Sequence, residues 1–106
     1  MKPSRSYYDD LIEDLKNPRE ATAYLNAALE EGDKDAFILA LRDVLEAHGG
    51  MTKIAQYAKM NRVSLYKMLS KKGNPEFESI LSLLNAVGIK FQVTSKPVSK
   101  TQRKAA

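Results

Sequence analysis

Apolar residues recur along most of this 106-residue chain at intervals of three and four, and towards the C-terminal end the interval shortens to two. The first spacing belongs to helices that bury one face, the second to an extended strand. Within residues 1–16, Tyr8, Leu11, Ile12 and Leu15 mark a short amphipathic helix with weak capping. It is predicted as an arm that orders on a partner, or else packs on its own domain. Asn17-Pro18-Arg19-Glu20 is a helix start, with Asn as cap, Pro in the first position and Glu three residues after the cap. Ala21, Tyr24, Leu25, Ala28 and Leu29 form its buried stripe and Gly32 ends it. Asp33 caps the next helix, in which Phe37, Ile38, Leu41, Val44 and Leu45 face inward. Lys34, Asp35, Arg42, Asp43 and Glu46 are expected on its solvated side, and Gly49-Gly50 closes it.

Two short helices follow almost without a break. Ile54, Ala55 and Ala58 give the first a narrow apolar face, and Leu65, Met68 and Leu69 do the same for the second. Thr52 and Asn61 are the expected caps, because their side-chain oxygens can accept from otherwise unpaired backbone N–H groups. Lys59 and Met60 leave room only for a tight turn, so the two helices must cross steeply to bury both faces. Asn74-Pro75 restarts a helix with Glu76 and Glu78 in its first turn, where the helix dipole favours acids. Phe77, Ile80, Leu81 and Leu84 are its expected core positions, and Gly88 ends it. Ile89, Phe91 and Val93 then alternate with Lys90, Gln92 and Thr94, the pattern of a strand. Its backbone needs a partner, and a second copy of itself is the simplest source. Residues 95–106 have no periodicity, carry Lys96, Lys100, Arg103 and Lys104, and are expected to be disordered.

The run IAQYAKMNRVSLYKMLSKKGNPEFESILSLLNAVGI resembles the Xre-type helix-turn-helix of bacterial and phage repressors. SLYKMLS, followed by GNPEF and LLNAVG, is similar to the antitoxins of addiction modules, the HigA-type antidote proteins, and so is AYLNAALEEGDKDAFILALRDVLEAHGGM upstream. The resemblance covers roughly residues 20 to 93. It departs from the family at Lys59, where glycine is common in the turn; a side chain at positive φ costs on the order of 1 kcal/mol. The resemblance implies a five-helix, all-α lambda-repressor-like domain over residues 17–94, here with a short C-terminal strand. It also implies double-stranded operator DNA and a RelE-like toxin as partners.

Charge sharpens that reading. Residues 1–50 carry a net −5 and residues 51–106 a net +9, which together make the +4 of the whole chain. A polyanion suits the second half and a basic partner the first. Arg62 at the start of the second short helix can donate a bidentate pair to guanine, and Lys67 can reach a base edge or a phosphate. Val63 can meet a thymine methyl, and Tyr66 a base or the backbone. Thr52, Lys53, Gln56, Asn61, Ser64, Lys71 and Lys72 are candidates for phosphate contacts, which fix register without reading sequence. Ile89, Phe91 and Val93 are the expected dimerisation residues of a homodimer.

Catalysis finds little support. There is no cysteine, and the one histidine, His48, lies at a helix end beside two glycines, where a structural role is expected. No metal-ligand spacing and no phosphate-binding glycine loop occur, so neither an enzyme nor a cofactor is expected. With no apolar run of membrane-spanning length and no visible signal peptide, the expected location is the cytoplasm, with no membrane partner. The leading expectation is an antitoxin that also represses its own operator; the alternative is a stand-alone phage-type repressor without a toxin.

Overall fold

The computed structural model describes residues 6–70 and 72–97, and among them it contains six α-helices and no strand. In order they are α1 (Tyr7–Asp14), α2 (Pro18–Glu30), α3 (Lys34–Ala47), α4 (Gly50–Tyr57), α5 (Arg62–Met68) and α6 (Phe77–Ala86). The expected helix starts hold at α2, α3 and α5. Asn17, Asp33 and Asn61 each sit in extended backbone and accept from the N–H of Arg19, Asp35 and Ser64. Thr52 is not a cap: α4 begins at Gly50, with Gly49 at the cap position and no side-chain cap bond. The last helix begins at Phe77 rather than at Asn74-Pro75.

The helix beyond the five expected is α1, in the segment read as an amphipathic arm. Ser6 and Asp9 form a capping box at its start, the Ser6 hydroxyl accepting from the Asp9 N–H and the Asp9 carboxylate from the Ser6 N–H. Leu11 and Ile12 pack against the core, and Leu15, just past the helix, is fully buried. The His48 Nε2–H donates to the Leu15 carbonyl at 2.9 Å, which fixes the tautomer and pins the end of α1 to the end of α3. Residues 7–15 are therefore part of the domain.

Helix α3 is the centre. Ile38, Leu41, Val44 and Leu45 are buried on it, and α1, α2 and α4 pack around it. Helix α4 carries the packing onward to α5 and α6 through Met51, Ile54 and Ala55. Leu65 and Leu69 of the α5 region and Leu83 and Leu84 of α6 complete the same core. Three positions depart from expectation. Leu29 and Phe77 remain largely exposed because the faces they occupy border a groove rather than another helix, and Leu81 is exposed as well.

The expected strand at Ile89–Thr94 does not form. A Schellman motif ends α6: Gly88 stands at φ 75°, its N–H donates to Asn85 O, and the Ile89 N–H donates to Leu84 O. The chain then runs extended, but no other described segment lies alongside to supply ladder hydrogen bonds, and without them alternation alone makes no strand. Instead Phe91 folds back onto Phe77, ring centroids 5.3 Å apart and edge to face.

A second Schellman motif ends α4. The Met60 N–H donates to Ala55 O and the Lys59 N–H to Gln56 O, so the chain reverses within Ala58–Asn61 before α5 begins. Lys59 occupies its left-handed position at φ 56°, the only non-glycine residue with positive φ among those described. A Cβ there costs about 1–2 kcal/mol, while glycine would add unfolded-state freedom worth about 0.4–1 kcal/mol. Lys59→Gly is accordingly expected to raise the unfolding free energy by about 0.5–1 kcal/mol in urea denaturation. A variant no more stable than the parent would show that the turn carries no strain.

Candidate nucleic-acid interface

Helix α5 is amphipathic in the sense that matters for a surface. Leu65 points into the core, and Arg62, Val63, Tyr66 and Lys67 lie on the outer side. Val63, in the first turn of the helix, is an apolar side chain left 66 % exposed. The Arg62 guanidinium carbon stands 5.6 Å from the centre of the Tyr66 ring, within cation–π range. All four candidate base-contact residues thus share one exposed face.

The candidate phosphate contacts surround it. Thr52, Lys53 and Gln56 are exposed on α4, and the Lys53 ammonium lies 6.0 Å from the Tyr57 ring centre. The Asn61 oxygen is already used in capping, since it accepts from the Ser64 N–H at 3.1 Å; only its amide N–H groups remain for a phosphate. Ser64 and Lys72 are exposed, and Lys71 lies outside the described residues. Beyond α5, the Ser70 hydroxyl donates to Lys67 O, and the Gly73 N–H donates to Ser70 O. The chain folds so tightly here that a Cβ on Gly73 would collide with the carbonyls of Lys67 and Met68. Lys34 Nζ, from the start of α3, donates to Gly73 O at 3.2 Å and ties this loop to the opposite half of the chain.

A second surface is acidic and aromatic. Tyr8, Asp9, Ile12 and Glu13 of α1 and Glu46 of α3 line a shallow cleft of about 280 Å³. Behind it lies a residue expected on the solvated side: Asp43 is only 8 % exposed and accepts a 2.7 Å hydrogen bond from the Tyr24 hydroxyl. Burial, together with that hydrogen bond, pushes the Tyr24 phenol well above its ordinary value. Burial, then the charges of Asp43 and Glu46, raise Tyr8 as well. The sequence offered one signal for this pair, a tyrosine on the stripe of α2 that needs a polar partner when buried.

The expected dimerisation residues are divided by the fold. Ile89 packs on the core, Phe91 is half-covered by Phe77, and Val93 is 87 % exposed. With Leu25, Leu29, Phe37 and Ile80, the first two help to line a groove of about 610 Å³ between α2, α6 and the extended segment. Residues 98–106, including Lys100, Arg103 and Lys104, lie outside the described residues. Among the described residues no three His, Cys, Asp or Glu side chains converge as metal ligands would, and no helix is long and apolar enough to cross a membrane.

Comparison with known proteins adds two findings. The chain is 37 % identical over 84 residues to a protein of Haemophilus influenzae described as an uncharacterized protein, an alignment covering 79 % of this chain and 86 % of that one. No solved structure matches it. Residues 6–95, which run from the capping box of α1 past the end of the extended segment, match the family described as "Probable addiction module antidote protein". A match spanning all six helices, together with a relative aligned over most of both chains, makes this protein a member of that family.

Proposed function

We propose that the protein is the antidote of an addiction module and acts by binding alone, neutralising a RelE-like toxin and repressing its own operator as a helix-turn-helix protein. The observation that carries the DNA half is the outer face of α5. Arg62, Val63, Tyr66 and Lys67 are exposed together, while Leu65 and Leu69 anchor the helix in the core. A major groove about 12 Å wide admits such a helix, and a guanidinium, a methyl-bearing side chain and an ammonium match its base edges. Lys53 of α4 and Lys72 after α5 are both exposed, and their ammonium groups suit the phosphates flanking such a groove. Both partners, operator and toxin, belong to the cytoplasm.

The toxin half rests on charge. Residues 1–50 have a net −5, and the cleft beside Tyr8 gathers Asp9, Glu13 and Glu46 around Ile12. Complementary potential speeds encounter with a basic partner and selects for it. Operator recognition in turn calls for two copies, because one such helix reads only a few base pairs and successive major grooves lie about 34 Å apart. The segment Ile89–Thr94 is the candidate dimer element: past the Ile89 N–H, which ends α6, its backbone makes no hydrogen bond to other described backbone, and an antiparallel two-fold mate would satisfy it.

Three measurements test these assignments. In operator titrations at several salt concentrations, Arg62→Ala is expected to cost about 1–3 kcal/mol and to relax preference at one base position. Lys72→Ala should weaken all sequences alike and lower the salt slope by about one. A wild-type protein whose DNA binding ignores salt would remove the operator from the account.

Deleting residues 1–16 would also take Leu15 from the core, so the toxin surface is better tested by charge reversal. Glu13→Lys combined with Glu46→Lys should abolish co-purification with the small basic protein encoded beside this one, while operator binding persists. Retained co-purification would place the toxin elsewhere, and the lack of any such neighbour would favour a stand-alone repressor.

Gln92→Pro removes one backbone donor from the extended segment. It should yield a monomer by light scattering that keeps its helical circular dichroism and loses tight operator binding. A variant that stays dimeric would rule this segment out as the dimer element.

A further inference from the structure

Two cation–ring pairs stand on the consecutive helices α4 and α5, and they are built alike. Lys53 precedes Tyr57 by four residues with its ammonium 6.0 Å from the ring centre, and Arg62 precedes Tyr66 by four with its guanidinium at 5.6 Å. Four residues is one helical turn, and a helical side chain leans back over the turn before it, so each ring lies against the cation ahead of it. The core needs neither ring. Tyr57 is 62 % exposed and Tyr66 38 %, while Ile54, Leu65 and Leu69 fill the interior beneath them. Neither phenol hydroxyl has a hydrogen-bond partner among the described residues.

Long cationic side chains on a helix surface sample many rotamers, and that freedom is lost when they engage a ligand. A ring that already holds the head group reduces the loss and selects the direction in which the charge points. We infer that Tyr57 and Tyr66 are positioning residues of the nucleic-acid surface. Tyr66 presents the Arg62 guanidinium to a base edge, and Tyr57 presents the Lys53 ammonium to a phosphate. The inference rests on the DNA-binding reading above and deepens it: Tyr66 acts through Arg62 rather than as an independent reader of a base. It also separates the two rings. One serves sequence preference and the other general affinity, because a guanidinium can pair bidentately with guanine whereas an ammonium on a phosphate carries no sequence information.

The test is a pair of double-mutant cycles on the full chain, read by titration with operator DNA and with a scrambled duplex. Tyr66→Leu keeps apolar bulk but has no π face. It should lower operator affinity about two- to fivefold, the range of an exposed cation–π contact, and narrow the gap between operator and scrambled DNA. In an Arg62→Ala background the same change should have no further effect, and Tyr66→Phe should rescue most of what Tyr66→Leu loses. Tyr57→Leu should weaken both duplexes equally and lose its effect in a Lys53→Ala background. Helical circular dichroism and the urea midpoint, measured on each variant, exclude unfolding as the cause. Additive losses would mean that the rings touch DNA themselves, and Tyr66→Phe as damaging as Tyr66→Leu would mean that the hydroxyl does; either result overturns the inference while leaving the DNA reading intact. A wild type without salt-dependent binding would overturn both.

Discussion

Burial of the apolar stripe of α3 is the interaction on which the other helices depend. Leu41, Val44 and Leu45 are fully inaccessible, and the helices packed around them bring Leu15, Leu25 and Ile54 to the same interior. Emptying one such leucine position costs about 2–5 kcal/mol, against a total stability of roughly 5–15 kcal/mol for a domain of this kind. Surface pairing contributes far less. The Lys16–Glu13 ion pair, one turn apart and more than half exposed at both ends, is worth under about 1 kcal/mol. The stripe therefore decides whether there is a fold, and polar contacts such as Tyr24–Asp43 and His48–Leu15 decide how the outer helices seat on it.

One core serves both halves of an unevenly charged chain. The acidic surface of α1 and α3 and the basic surface of α4 and α5 lie on helices joined through Met51, Ile54 and Leu45, with Lys34 reaching across to the Gly73 carbonyl. The two surfaces are in consequence held at a fixed spacing and orientation. Whatever occupies one is presented rigidly to whatever occupies the other.

Local signals were legible and long-range ones were not. The caps Asn17, Asp33 and Asn61 could be read because a cap involves only residues two or three apart. The common face of Arg62, Val63, Tyr66 and Lys67 followed from helix geometry alone, whereas the positive φ of Lys59 was legible only through the resemblance to a family that has glycine there. The capping box of Ser6 and Asp9 is equally local, but whether α1 packs on the domain depends on contacts such as Leu15 with the distant core. Asp43 could not be placed by periodicity, because its burial depends on a tyrosine on another helix. Alternation at Ile89–Thr94 was real, yet a strand is a relation between two segments, and the nearest ring for Phe91 proved to be Phe77. Phe77 fitted a core stripe by spacing, but α6 packs chiefly on α4, which leaves that end of the stripe facing a groove. What the exposed face of α5 touches is a property of two molecules, and no spacing within one chain contains it.

Gly73 carries a consequence for how this molecule tolerates change. It sits in a loop, where insertions and substitutions are ordinarily absorbed. Its α-carbon, however, lies against the last carbonyls of α5, and the methyl group of an alanine would have to push Lys67 and Met68 aside. The displacement would pass into the pitch of the helix that bears Arg62 and Tyr66. A solvent-side loop position is thereby as constrained as a core leucine, and drift in sequence that the surrounding lysines can accept is closed to this one residue.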